Sequence, residues 1–456
     1  MNSSDKARIA GVLTVVKEPA GPDAPDQQDP AVAARVSAML ADIEKNGLDA
    51  VLKYASELDG FTGSSLEVTA LEIEQAAASL PRDLRAALEA GAERTRRFAE
   101  MQRAHLVDFE DEVIPGVVCG QKYVPVSNVG AYLPAGRFPL LAGAFMTVGV
   151  ARVAGVPNIA TCTPPSYAGR AHPAVLYAAH VSGAEQIYRV GGVQALASMA
   201  FGLLDGTPSD MIVGAGNAYV AEAKRQLFGR VGIDVLAGPS EVAVIADDTA
   251  EAAVVAADLL GQAEHGPTSP ACLVTTSERL AREVPIEVER QLAGLATRDV
   301  AGPAWRDYGS VYLARDRETA VTIMDILAPE HLEVIADDLD FYLSALHNYG
   351  SLFLGPWSTV AYADKGVSGT NHVLPTARGA RFTAGLSVGG FLKALTYQRA
   401  TQSATACQAE PVVTISDYEG LQAHRDSAQI RLDRMARFSN EAPAESTMTG
   451  VVHVQN

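Results

Sequence analysis

The stretch GQAEHGP, residues 261–267, puts Gln262, Glu264 and His265 where the preceding EAAVVAADLL predicts a helix end. Residues three apart on a helix share a face, so Gln262 and His265 would point the same way just before Gly266 and Pro267 break it. An amide oxygen beside an imidazole suits half of a metal site, and it suits equally a polar helix end with no chemistry. In APEHLEVIADD a carboxylate, Glu330, stands next to an imidazole, His331. That pairing fits proton transfer near neutral pH; an exposed helix start is the plain alternative. AYADKGVSGTNHVLPT, residues 361–376, crowds Asp364, Lys365, Asn371 and His372 around two glycines, the composition of a loop that lines a site. In DYEGLQAHR, Glu419 and His424 are spaced off one helical face, so at least one sits at a helix start; on these residues alone a solvated helix is the favoured reading.

Two glycine turns, VGGVQ (190–194) and VGAGNAYV (213–220), each follow a strand-like run and open a helix-like one. Such turns let backbone approach a phosphate, whose charge the helix start favours. Neither completes GxGxxG: Tyr219 stands where the third glycine would be. A dinucleotide site and a plain tight turn both remain open on these residues alone.

Positioning elements are legible around these clusters. Asp29 followed by Pro30 predicts an N-cap and first helical residue, with Val32, Val36, Met39, Leu40 and Ile43 on one face behind them. A second helix is expected over 80–105. From about residue 123, short apolar runs such as NVGAYLPAG, AEQIYRVGG and DMIVGAGN alternate with Ala-rich helical stretches, and the pattern resumes with DVLAGPSEVAVIADD. Strands alternating with helices predict βαβ units and two parallel α/β sheets in series. The part beyond about 380 reads as mostly helical, with a frayed tail.

The bulk figures exclude some functions. A net charge of −18 and no basic run argue against nucleic acid and anionic membrane surfaces as partners. Cys119, Cys162, Cys272 and Cys407 are scattered, as expected of free thiols in a reducing compartment. The start, MNSSDKARIAGVLTVV, lacks the pattern of a signal peptide, and no long apolar run suggests a membrane span; a soluble cytoplasmic protein is expected.

Taken in order, NVGAYLPAG, VGGVQALA, VGAGNAYVAEAKR, LAGPSEVAVIAD, GQAEHGP, PEHLE, SGTNHVLPT and EGLQAH, running from residue 128 to 424, resemble the histidinol dehydrogenase family. The resemblance implies two Rossmann-like parallel-sheet domains in series, a helical N-terminal arm and a helical C-terminal dimerisation segment. The implied boundaries are an arm and loop over 1–30, a first α/β domain over 31–131 and 238–380, an inserted NAD-binding domain over 132–237, and a C-terminal segment over 381–456. It implies a zinc-dependent, NAD-linked homodimer that oxidises a primary alcohol through the aldehyde to a carboxylate, L-histidinol first. Carried over by position, the zinc ligands are Gln262, His265, Asp364 and His424. The catalytic pair is Glu330 and His331, and Tyr132, Gln194 and Asn217 contact NAD. Substrate contacts are Ser240, Gln262, His265, His331, Asp364, His372, Glu419 and His424, with Glu419 and His424 supplied by the partner subunit.

Two departures stand out. Arg137 and Phe138 come early after YLPAG, and Lys365 takes a position where histidinol enzymes usually carry Tyr. Two cations near a pocket favour an anionic substrate, such as a sulfonated diol. A zinc hydrolase using Glu330, and a non-catalytic relative on the same fold, are the remaining alternatives.

Overall fold

The structure is a computed structural model that describes residues 13–21, 29–63, 65–136, 138–165, 169–236 and 238–440. Residues up to Leu106 together with Pro125–Leu392 form one unit, and Val107–Val124 with the residues from Lys393 onward form another.

In the first unit, VAVIA, ACLVT and HLEVI are buried at every position. Strands covered on both faces read as unbroken apolar runs, and these three lie side by side. Their sheet has six strands in the order Leu13–Lys17, Gly309–Ala314, Ala271–Thr275, Val242–Ala246, His331–Ile335 and Ser351–Leu354. All pairings are parallel except that of the edge strand Leu13–Lys17. A second, all-parallel sheet has the order Gln186–Arg189, Asn158–Thr163, Asn128–Tyr132, Met211–Val213 and Gly232–Ile233. The expected pair of parallel α/β sheets is therefore present.

The helix Pro30–Asp59 starts as expected: the Asp29 side chain accepts from Ala31 N–H at 2.8 Å, and Pro30 occupies the first turn. Its buried Val36, Met39, Leu40 and Ile43 pack with the helices Gly192–Phe201 and Ala218–Leu227, which flank the smaller sheet. Ala70–Ser79 and Arg82–Ala104 pack on Pro173–Val181, another helix of that sheet. The apolar faces of these N-terminal helices thus bury against the smaller sheet. The described part of the N-terminal arm is also a strand rather than a helix: its LTVVK pairs with the edge of the larger sheet.

The second unit carries a three-stranded sheet in the order Leu392–Ala400, Val117–Pro125 and Phe109–Ile114, and two helices, Thr405–Glu419 and Gln422–Asn440, packed on each other. The segment beyond 380 is therefore not purely helical. FEDEVI escapes sequence reading because it is exposed at every position and has no apolar alternation. Of the expected tail beyond about 438, Ser439 and Asn440 end the helix Gln422–Asn440, and the rest lies outside the described residues. Among the described residues no helix is long and apolar enough to cross a membrane, and the four cysteines are free thiols.

Candidate active site

Ser240 and Glu241 immediately precede the strand Val242–Ala246; Glu330 precedes, and His331 opens, the neighbouring His331–Ile335. Val242 and His331 are paired across the two strands, so these polar residues gather at the amino ends of parallel strands. The helix Ala252–Ala263 leaves the far end of Val242–Ala246 and returns to the same edge, delivering Gln262 in its last turn. The helix stops at Ala263, earlier than the Gly-Pro break suggests. His265 therefore does not share a helical face with Gln262; a tight turn, His265 N–H to Gln262 O at 3.1 Å, brings it round. Asp364 ends the short helix Val360–Asp364, which follows Ser351–Leu354 back to this edge.

These side chains converge. The Gln262 amide donates to Ser240 Oγ at 2.5 Å, and Ser240 Oγ donates to Glu330 Oε2 at 2.7 Å. Glu330 Oε2 also accepts from Glu241 N–H at 2.9 Å and lies 3.4 Å from His331 Nδ1. His331 Nδ1 sits 3.0 Å from the Glu241 carbonyl, which fixes that nitrogen as the donor. Nε2 is then left as the acceptor, buried and without a hydrogen-bond partner, 3.8 Å from Asp364 Oδ1. Asp364 Oδ2 is 3.3 Å from His265 Nε2, and Asp364 Oδ1 is 3.8 Å from His372 Nδ1.

The charges follow from this packing. Burial alone would lower the His331 imidazole, but the Glu330 carboxylate, then Asp364 and the Glu241 carbonyl, outweigh it and lift it to about 9. Burial would raise Asp364, yet the bond from His265 and the charges of His372 and His331 hold it well below the usual carboxylate range. Burial lowers His372. Glu241 is pushed up to about 7 by burial and by Glu330.

Gln262 Oε1 is buried and has no partner, because its own amide nitrogen is spent on Ser240. An orphan acceptor beside an imidazole and a carboxylate is what a divalent cation would satisfy, and a mixed nitrogen and oxygen set suits zinc. Among the described residues no trio of His, Cys, Asp or Glu alone forms such a group.

The second wall comes from the smaller sheet, here at the carboxyl ends of its strands. Tyr132 ends Asn128–Tyr132, and its hydroxyl accepts from Gly192 N–H at 3.2 Å. Gln194 is buried; its amide donates to Asp59 Oδ2 at 2.9 Å, and the same oxygen accepts from Gly191 N–H at 3.1 Å. Asn217 caps Ala218–Leu227, accepting from Tyr219 and Val220 N–H at 3.0 and 3.2 Å. Between strand and cap, Gly214 has φ +118°, and a Cβ there would lie 2.1 Å from the Tyr132 carbonyl oxygen. Only glycine fits. Lys224 and Asp234, both almost wholly buried, form an ion pair behind this turn. Asp234 accepts from Gly214 N–H at 2.7 Å, and Lys224 donates to the carbonyls of Gly214 and Val235 at 3.1 and 2.7 Å.

The two walls enclose a cavity of about 1330 Å³. Tyr132, Gln194 and Asn217 line it on one side, and Ser240, His265 and Lys365 on the other. Lys365 is exposed and makes no ion pair among the described residues. Phe138 lines the same cavity; Arg137 lies outside the described residues.

Glu419 and His424 belong to the second unit. Glu419 closes Thr405–Glu419, Gly420 turns the chain with φ 74°, and His424 follows in the first turn of Gln422–Asn440. Ile415, Tyr418, Leu421 and Ile430 beside them are exposed, Tyr418 almost completely.

Sequence reading missed Asp59, Glu241, Lys224 and Asp234. Asp59 lies in an ordinary helix end, and nothing local shows that it will meet Gln194. Glu241 could have been suspected from its place beside Ser240.

A paired-sheet α/β fold whose cavity joins glycine turns to a carboxylate–imidazole centre suits an oxidoreductase, and the comparisons with known proteins show that class. The histidinol dehydrogenase family model matches residues 23–432. A histidinol dehydrogenase homolog of Shouchella clausii is 47% identical over 89% of this chain and 95% of its own. The sulfopropanediol 3-dehydrogenase of Ruegeria pomeroyi is 47% identical over 90% and 93%, and the histidinol dehydrogenase of Gluconobacter oxydans 42% identical over 88% and 93%. The crystal structure of histidinol dehydrogenase from Elizabethkingia anophelis superposes with a TM-score of 0.86 at 32% identity, covering 96% of this chain and 97% of that one. The chain belongs to the histidinol dehydrogenase family, whose members are NAD-dependent oxidoreductases acting on CH–OH donors.

Proposed function

We propose that the chain oxidises an anionic primary alcohol, of the sulfonated-diol kind, through its aldehyde to a carboxylate, using zinc and NAD. The observation that carries the substrate class is Lys365: an exposed ammonium on the cavity wall next to Asp364 in sequence, with no ion pair among the described residues. The similarity to a relative named for sulfopropanediol supports the same reading. L-histidinol is the second reading, supported by the similarity to relatives named for it; Lys365 would repel its amine.

In this reading Gln262, His265, Asp364 and His424 hold the metal, and Tyr132, Gln194 and Asn217 hold the nucleotide. When bound, zinc supplies a Lewis acid for the alcohol oxygen and NAD the hydride acceptor. With Nδ1 held as a donor by the Glu241 carbonyl, His331 takes the hydroxyl proton at Nε2 in its neutral form, which its raised pKa reserves for alkaline pH. Glu330, steadied by Ser240 and Glu241 N–H, activates the water that adds to the aldehyde before the second oxidation. Ser240 and His372 orient the substrate.

Glu419 and His424 come from a second subunit in this proposal. The exposed Ile415, Tyr418, Leu421 and Ile430 around them support burial against another copy.

NADH absorbance with each alcohol, before and after chelation, tests the reading. Zinc-restored turnover that prefers the sulfonated diol upholds it. Turnover of L-histidinol alone moves the substrate to the second reading, and substrate consumption without NAD reduction sinks the dehydrogenase proposal. Mixing His331→Ala with His424→Ala subunits tests the shared site: regained activity is expected, and none points to closure within one chain.

A further inference from the structure

Three elements bring Gln262, His331 and Asp364 to the site: the helix Ala252–Ala263, the strand His331–Ile335 and the helix Val360–Asp364. One structural period behind each lies a second residue. Asp258 is one helical turn before Gln262, on the same face. Glu333 follows His331 on the same side of the strand. Val360 is one turn before Asp364.

These rear positions are tied to one another. Glu333 Oε1 accepts from Val360 N–H at 2.7 Å. Asp258 Oδ1 accepts from the Thr359 hydroxyl at 2.9 Å, and that hydroxyl caps the helix Val360–Asp364 by accepting from Ala361 N–H. Glu333 is completely buried, and Asp258 lies close enough for its charge to act on it. Burial, and then that charge, push the Glu333 carboxyl up; burial raises Asp258 as well. Two carboxyl groups with so little water resist joint ionisation.

A helix of five residues does not persist by its own hydrogen bonds. The place of Asp364 is therefore set by what grips the start of that helix. The grip comes from the helix that carries Gln262 and from the strand that carries His331.

We propose that Asp258, Glu333 and Thr359 are positioning residues that fix the mutual spacing of Gln262, His331 and Asp364 and thereby hold a divalent-cation site in shape from behind. This rests on the reading that Gln262, His265 and Asp364 bind the metal. None of the three positioning residues touches the cation; they act through the backbone that bears its ligands. Outer partners of this kind change metal affinity by about 10- to 100-fold when removed.

The test measures zinc affinity of the full-length protein by competition with a chromophoric chelator, with NAD binding as a control for folding. Glu333→Gln keeps the acceptor for Val360 and places no second charge beside Asp258, so it should bind zinc as the parent does. Glu333→Leu and Thr359→Val should bind zinc about 10- to 100-fold more weakly while binding NAD normally. If Glu333→Leu does not fold, Thr359→Val, which exchanges a hydroxyl for a methyl of similar size, carries the test. Normal zinc affinity in a folded Thr359→Val protein overturns the inference and leaves the functional reading intact. A parent protein that binds no zinc overturns both.

Discussion

Ser240 Oγ stands between Gln262 and Glu330, accepting from the amide of one at 2.5 Å and donating to the carboxylate of the other at 2.7 Å. This single hydroxyl joins the candidate metal ligands to the candidate acid–base pair. Ser240→Ala should release both: the Gln262 amide becomes free to turn, and Glu330 loses one of its donors. Steady-state assays should show kcat lowered about 10-fold or more, the loss of one hydrogen bond to a charged group, with KM for NAD unchanged. An unaltered kcat would remove Ser240 from the machinery.

Removal of proton transfer should be more severe. Glu330→Gln and His331→Ala are each expected to lower kcat about 100- to 10,000-fold. Glu330→Gln has a further signature, because the Glu330 carboxylate is the main influence raising the His331 imidazole against the opposing effect of burial. A base with a raised pKa needs higher pH to lose its proton. The residual activity of Glu330→Gln should therefore reach its plateau at lower pH than the parent, and a pH–rate profile measures the displacement.

Lys365 separates substrates. Lys365→Ala should raise KM for a sulfonated diol about 10- to 100-fold, the value of one charge-assisted hydrogen bond. KM for L-histidinol should hold or fall. A parallel rise for both alcohols would show that Lys365 shapes the loop rather than reading the substrate's charge.

Lys224 and Asp234 anchor the Gly214 turn, the proposed nucleotide side of the cavity, in a buried ion pair. Asp234→Asn leaves the ammonium uncompensated and should destabilise the protein by about 3–5 kcal/mol, read as a lowered denaturation midpoint. Because Asp234 also accepts from Gly214 N–H, folded material should bind NAD more weakly.

Glu72 gives a dependence on acid. The Arg189 guanidinium, with the Thr69 donors, holds its carboxyl down at about 2, against an ordinary 4.5. A depressed pKa means that the native state favours the charged form. The stabilisation is complete above pH 4.5 and fades as pH falls toward 2. In urea unfolding, Glu72→Gln should cost about 1 kcal/mol at pH 7 and almost nothing at pH 2.

The two parallel sheets were legible because alternation of buried apolar runs with Ala-rich helices is a local signal. So were the clusters around Gln262, Glu330 and Asp364, each compact in sequence. The packing of the N-terminal helices was not, since an amphipathic face such as Val36–Ile43 does not say which sheet it will cover. The roles of Asp59 and Glu333 were not legible for a related reason: their partners, Gln194 and Val360, are remote in the chain, although Glu333 stands two residues from His331. The outer strands of the second unit's sheet, Phe109–Ile114 and Leu392–Ala400, are exposed almost throughout, and their pairing is a property of the backbone.

The cavity joins opposite ends of two parallel sheets, and chain direction thereby sorts charge. On the wall of the smaller sheet, Gly192–Phe201 and Ala218–Leu227 present their first turns, where unpaired N–H groups are partly positive. On the wall of the larger sheet, Ala252–Ala263 presents its last turn, where unpaired carbonyls are partly negative. One bank therefore welcomes phosphate and the other a metal ion, and a ligand entering backwards meets the wrong sign at both.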